Sequence, residues 1–204
     1  MRTLGIVFSG FLAAALGPTA ARAATTTHQV VSGTGADLDA SFSSADGCIQ
    51  ITLSLNPATS ITRQNGGTGS GLDADMFRDD FCNNTFEFGF TTISLTNEFQ
   101  TGPGNQSASL NVTVPIQTFD QDGNPHTRVV VANVQLQGTS DTTSGLSTSR
   151  FTASGSRIIS SGHSVSTVAN VTGQISVDGQ PLLPDGSVVG SIEKSMSVTV
   201  DITQ

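Results

Sequence analysis

From Cys48 to the C-terminus, apolar residues recur at every second position, and no dozen-residue window places them at i, i+3, i+4 and i+7. A period of two puts successive side chains on opposite faces of a strand, whereas a helix needs 3.6. In residues 163–177 the odd positions include Val165, Ala169, Val171, Ile175 and Val177, while the even ones include Ser164, Ser166, Asn170, Thr172, Gln174 and Ser176. Such a segment reads as a strand with one buried and one wet face, as in an antiparallel sheet.

The same pattern occurs at Ile49, Ile51, Leu53, Leu55; at Leu110, Val112, Val114, Ile116; and at Val130, Ala132, Val134, Leu136. It returns in the last strand at Ile192, Met196, Val198, Val200 and Ile202, where Lys194 sits on the apolar parity and implies either a bulge or a side chain reaching the rim. Phe86, Phe88 and Phe90 share a face, and then the apolar phase slips to Ile93 and Leu95, which suggests a bulge. Asp122-Gly123-Asn124-Pro125, Asp178-Gly179-Gln180-Pro181 and Pro184-Asp185-Gly186 are corners between such runs. Seven to nine strands joined by short polar turns predict an all-β fold, an antiparallel β-sandwich of jelly-roll-like or immunoglobulin-like type.

Composition supports this reading. Ser and Thr make up about a quarter of the chain, and their hydroxyls suit the solvent face of strands. A hydrophobic share of 36% in 204 residues is enough for one core and excludes a disordered tail or a multi-span membrane protein. A net charge of −8 with a single Lys excludes a nucleic-acid surface and argues against anionic membranes.

Residues 1–23 form a separate unit: Arg2, an apolar stretch from Leu4 to Leu16, Gly17-Pro18, then Ala21-Arg22-Ala23. This is the pattern of a signal peptide cleaved before Ala24, and it is too short to span a bilayer. Its removal takes away Arg2 and Arg22 but no acid, leaving a charge of −10 on a single domain of residues 24–204. The expected location is secreted or periplasmic, where the two cysteines, Cys48 and Cys82, have one pairing open to them.

Residues 56–81 break the alternation with Pro57, Gly66-Gly67 and Gly69, and they read as a long loop tied at its base by the disulfide. Within it Asp73, Asp75, Asp79 and Asp80 offer four carboxylates on a Gly-containing segment, a candidate Ca²⁺ site. Solvated turn acids are the competing reading. Asp120-Gln121-Asp122-Gly123-Asn124 imitates the start of a calcium loop, but Gly falls at the fourth place and Val131 stands where a bidentate Glu belongs.

Catalytic signals are missing. His28, His126 and His163 lie in no metal-ligand spacing, there is no GxSxG elbow, and no catalytic residue is assigned. Trp and Tyr, the usual sugar-stacking residues, are absent. The Phe86, Phe88, Phe90 stripe alternates as core residues do, so core packing is expected, with a greasy ligand groove as the alternative. The function expected is that of an exported, non-catalytic surface, matrix or ligand-binding module facing an extracellular or periplasmic partner. Two alternatives differ in class: a small secreted hydrolase or lyase using His126 or His163 with carboxylates, and a fibre or coat subunit that self-associates by adding the segment Ala24 to Ala45 to a neighbour's sheet edge. No cofactor is expected beyond Ca²⁺ at the Asp cluster.

Overall fold

A computed structural model describes residues 25–63, 67–153, 156–182 and 188–203. The region read as a signal peptide, residues 1–23, and the Pro184-Asp185-Gly186 corner lie outside them. The described chain is antiparallel β with a single short 3-10 turn at Pro103–Asn105. Eight long strands carry it: β1 (Thr25–Ser43), β2 (Ile49–Thr62), β3 (Gly67–Asp80), β4 (Thr85–Ser94), β6 (Ser107–Asp120), β7 (Pro125–Ala153), β8 (Ser156–Val177) and β10 (Val188–Thr203). Two short ones, β5 (Phe99–Thr101) and β9 (Gln180–Pro181), pair with β6 and β8.

Neighbours in sequence are neighbours in the sheet, so the order is a meander rather than the crossed connections of a jelly roll or immunoglobulin domain. The last strand, β10, pairs with both β8 and β1. The sandwich-like layers therefore belong to one sheet that closes on itself around a single core. The closure is uneven: β7 pairs with β6 over thirteen positions, whereas β4 meets β6 only at Glu87, Phe88 and Gly89.

The alternation places the core as expected. Ile51, Leu53 and Leu55, Leu110 to Ile116, Val130 to Leu136, and Ala169, Ile175 and Val177 are buried on the inner parity of their strands. Asp178 and Gly179, both at positive φ, make the tight β8–β9 hairpin. The cysteines form a disulfide from the β1–β2 turn to the β3–β4 turn. Closing a loop of 34 residues stabilises the fold by about 3–4 kcal/mol on a chain-entropy argument.

Residues 56–81 are not a loop. Within them residues 56–62 belong to β2 and 67–80 to β3, and the two strands pair without a break from Ile49↔Asp80 to Thr62↔Gly67. Leu72, Ala74 and Met76 are buried and alternate with Asp73, Asp75 and Phe77. Pro57 did interrupt something: the β1–β2 ladder skips from Gly35↔Ala58 to Leu38↔Leu55, beside the residue that has no N–H to donate. The partner strands on either side carry the segment past that gap.

The proposed strand donor is also occupied. Thr25–Ser43 is β1, bonded to β10 from Thr25 to Ala40 and to β2 from Val31 to Gly35 and from Leu38 to Ser43, so most of it is already paired within its own chain, and its first residues keep one edge without a ladder partner among the described residues.

Beyond the core, β7, β8, β10 and the start of β1 continue as an arm. There β7 residues 142–153 pair with β8 residues 156–167, and those with β10. Twelve residues at about 3.3 Å each make it roughly 40 Å long. A register shift between Gly138 and Thr142 marks its base, and past Gly138, whose N–H still bonds the Gln106 carbonyl, β7 has no ladder partner on its other edge among the described residues.

Candidate interaction surfaces

The four Asp residues singled out for metal binding are divided by the strand they lie on. Asp73, Asp75 and Asp79 share the outer face of β3, while Asp80 is turned inward and buried. Asp80 accepts hydrogen bonds from the backbone N–H and side-chain amide of Asn83, both at 3.1 Å. Asp73 accepts one from the Thr92 hydroxyl at 2.7 Å. Among the described residues no three His, Cys, Asp or Glu side chains converge to hold a metal ion. Of the four carboxylates read as a candidate Ca²⁺ site, the strand keeps Asp73, Asp75 and Asp79 on one face and sets Asp80 on the other.

Asp120 serves its turn. It accepts from the N–H groups of Asp122 and Asn124, and the Asn124 amide and these backbone donors hold its carboxyl far below the usual range. His126 lies 3.2 Å from it, on an exposed hairpin corner. His28 and His163 lie on β1 and β8.

The Phe residues depart most from expectation. Phe86, Phe88 and Phe90 are on the outer face of β4, exposed by 38%, 51% and 73%. Their strand runs in unbroken register with β3 from Thr85 to Ser94, so there is no phase slip or bulge. The inner parity of β4 is instead Glu87, Gly89, Thr91 and Ile93. Phe77 stands opposite Phe88 on β3, and Phe119 stands opposite it on β6. The Phe77 and Phe86 rings stack with centroids 6.2 Å apart. Phe81, in the β3–β4 turn, is exposed as well.

At roughly 200 Å² per ring, these exposures leave on the order of 500 Å² of aromatic surface on one wall. Asp75 faces Phe90 and Asp79 faces Phe86 across the ladder, so carboxylates border the rings. Thr52 and Ser54 of β2, with Phe77, Phe88 and Phe90, line a shallow groove of about 250 Å³.

A second surface is the inner-parity side of the arm, the face that continues the core beyond its closed part. The register places Leu146, Thr148, Arg150 (β7), Arg157, Ile159, His163, Val165 (β8), Lys194, Met196, Val198, Val200, Ile202 (β10), and His28 and Val30 (β1) on it. Leu146 is 86% exposed. Arg63, whose N–H bonds the Val30 carbonyl, extends it. The register positions of this face hold no Asp or Glu. Lys194 lies in an unbroken ladder and is exposed, which makes it a rim side chain and not a bulge.

Arg78 and Arg128 are used elsewhere. At the opposite end of the sheet, Arg128 forks onto both oxygens of Glu87 and reaches Asp178 at 3.0 Å. Arg78 stands 3.5 Å from Glu87 and from Asp80, and the Thr118 hydroxyl donates to Glu87. Burial works against ionisation of Glu87, but the Arg128 hydrogen bonds and charge, with Thr118 and Arg78, outweigh it and hold its carboxyl below the ordinary value. This cluster bridges β3, β4, β6, β7 and the β8–β9 turn, and its role is architectural.

The aromatic wall was legible as a cluster in the sequence but placed inside. The cationic face was missed, although its signal was present: Arg150, Arg157 and Lys194 share the parity of the apolar residues on their strands.

No protein-family model and no curated protein sequence matches this chain. Among solved structures, a Nitrosomonas europaea protein described as AttH aligns at a TM-score of 0.31 and 12% identity. The alignment covers 86% of this chain and 51% of that one, so the chain spans about half the length of the protein it matches.

Proposed function

We propose that the protein is an exported, non-catalytic binding module that uses the Phe wall of β3, β4 and β6 as its recognition surface in an envelope or extracellular matrix. The observation that supports this is the cluster of exposed Phe rings on one wall, bordered by Asp73, Asp75 and Asp79. Leaving aromatic rings in water costs free energy, and contiguous apolar patches of this size on soluble domains are commonly interaction sites. A catalytic role has less to support it: the His126–Asp120 pair stands on an exposed corner, with the carboxylate committed to its own turn.

The test is fractionation of the expressing cell with and without Phe77→Ser, Phe88→Ser and Phe90→Ser combined. The wild type is expected in the envelope or matrix fraction. The triple variant should be released into the soluble exported fraction, with a melting temperature no lower than that of the wild type. Wild-type protein found freely soluble, or a variant retained as well as the wild type, would defeat the reading.

A further inference from the structure

We infer that the protein associates with copies of itself head to tail, the Phe wall of one copy seated on the cationic face of the next copy's arm. The inference rests on the wall being a recognition surface and names its partner.

Charge is the first argument. The chain carries a net charge of −8, yet Arg63, Arg150, Arg157 and Lys194 all fall on one face, together with His28 and His163 and with no carboxylate among its register positions. None of these four cations takes part in the ion pairs formed among the described residues. The wall presents the opposite arrangement, rings bordered by Asp73, Asp75 and Asp79. A negative chain would repel its own copies unless opposite charges were segregated onto separate surfaces that can meet.

Apolar content is the second argument. Leu146, Met196, Val198, Val200 and Ile202 give the arm an aliphatic surface between its cations, and the wall offers rings to cover it. About 500 Å² of ring surface with its polar rim approaches the roughly 800 Å² per partner of a stable interface.

Geometry is the third. The wall lies on the outer face of β3, β4 and β6 beside the Glu87 end of the sheet, and the arm's cations lie on the inner parity of strands that run on past the other end, so the body of the sheet separates the two surfaces of one chain. They can meet only between copies. Such a contact uses different surfaces on its two sides and is heterologous, so it continues into a ring or filament and does not stop at two.

The test is sedimentation velocity on the purified protein over a wide concentration range, with charge-reversal variants. The wild type should form a ladder of oligomers that recedes with added salt. Asp75→Lys with Asp79→Lys, which makes both surfaces positive, should be monomeric. Arg150→Glu, Arg157→Glu and Lys194→Glu together, which make both negative, should be monomeric too. An equimolar mixture of the two variants should restore the ladder, because every wall then meets a face of opposite charge.

A mixture that stays monomeric overturns the inference, as does a wild type that is monomeric throughout. So does a species that stops at a dimer regardless of charge, which would place the contact on the free β7 edge. If the Phe variants lose envelope retention while the arm variant keeps it, the recognition surface stands and self-association fails.

Discussion

At Gly89 a Cβ atom would stand 2.2 Å from the Gln117 carbonyl oxygen and 2.7 Å from the Thr118 Cα, so the β4–β6 approach requires glycine. The same crossing explains the exposed rings. The inner side of β4 has room at residue 89 for no side chain and is given at residue 87 to an ion pair, so the Phe residues take the outer side. Alternation in a sequence separates two faces, but hydrophobicity alone assigned the wrong one to the core, since Glu87 and Thr91 look wetter than Phe86 and Phe90. Gly89→Ala is expected to cost about 3 kcal/mol through overpacking against backbone. Urea denaturation checks it, and a loss under 1 kcal/mol would mean that the seam can open to admit a methyl group.

At the scale of elements, the strands with unbroken aliphatic alternation were legible: β6, the first half of β7, and β8 from residue 163 onward. Hidden ones were those whose faces are both polar or whose core residues are small. β3 buries Leu72, Ala74 and Met76 but begins Gly-Thr-Gly-Ser-Gly, and β2 contains Pro57, so the hairpin resembled a loop until partner strands supplied its ladder. The arm poses a related question, because β7 has two neighbours at residues 130–137 and one at 142–153. With one neighbour, outward amide groups have only water to bond. Hydrogen exchange at concentrations where the protein is monomeric should therefore show amides of 142–153 exchanging roughly a hundredfold or more faster than those of 130–137. Equal protection in the monomer would require a cover over that edge.

For the whole molecule, ring closure depends on a seam of three paired residues and on the Glu87 cluster that spans it. Breaking a partly buried pair leaves Arg128 without its main partner, so Glu87→Gln is expected to cost about 3 kcal/mol at neutral pH. The pH dependence follows from the direction of the shift. A carboxyl held below its unfolded value of about 4.3 contributes stability that is fully present above that pH. This contribution is lost as pH falls through the depressed folded value. A melting-temperature series should show the wild type losing its advantage over Glu87→Gln below about pH 4. Parallel curves for the two proteins down to pH 2 would remove Glu87 from the closure.

The sequence by itself determined the class of structure: a period of two can bury a face only in a sheet, Asp-Gly corners turn it, and two cysteines have one pairing. The tertiary structure decided which face of each strand is inside, because that depends on what crosses it, as β6 crosses β4 at Gly89. It also decided which distant residues share a surface. Register alone brings Arg150, Arg157 and Lys194 onto one side of the arm and the Phe rings onto one wall, and register is a property of paired strands that no single strand carries.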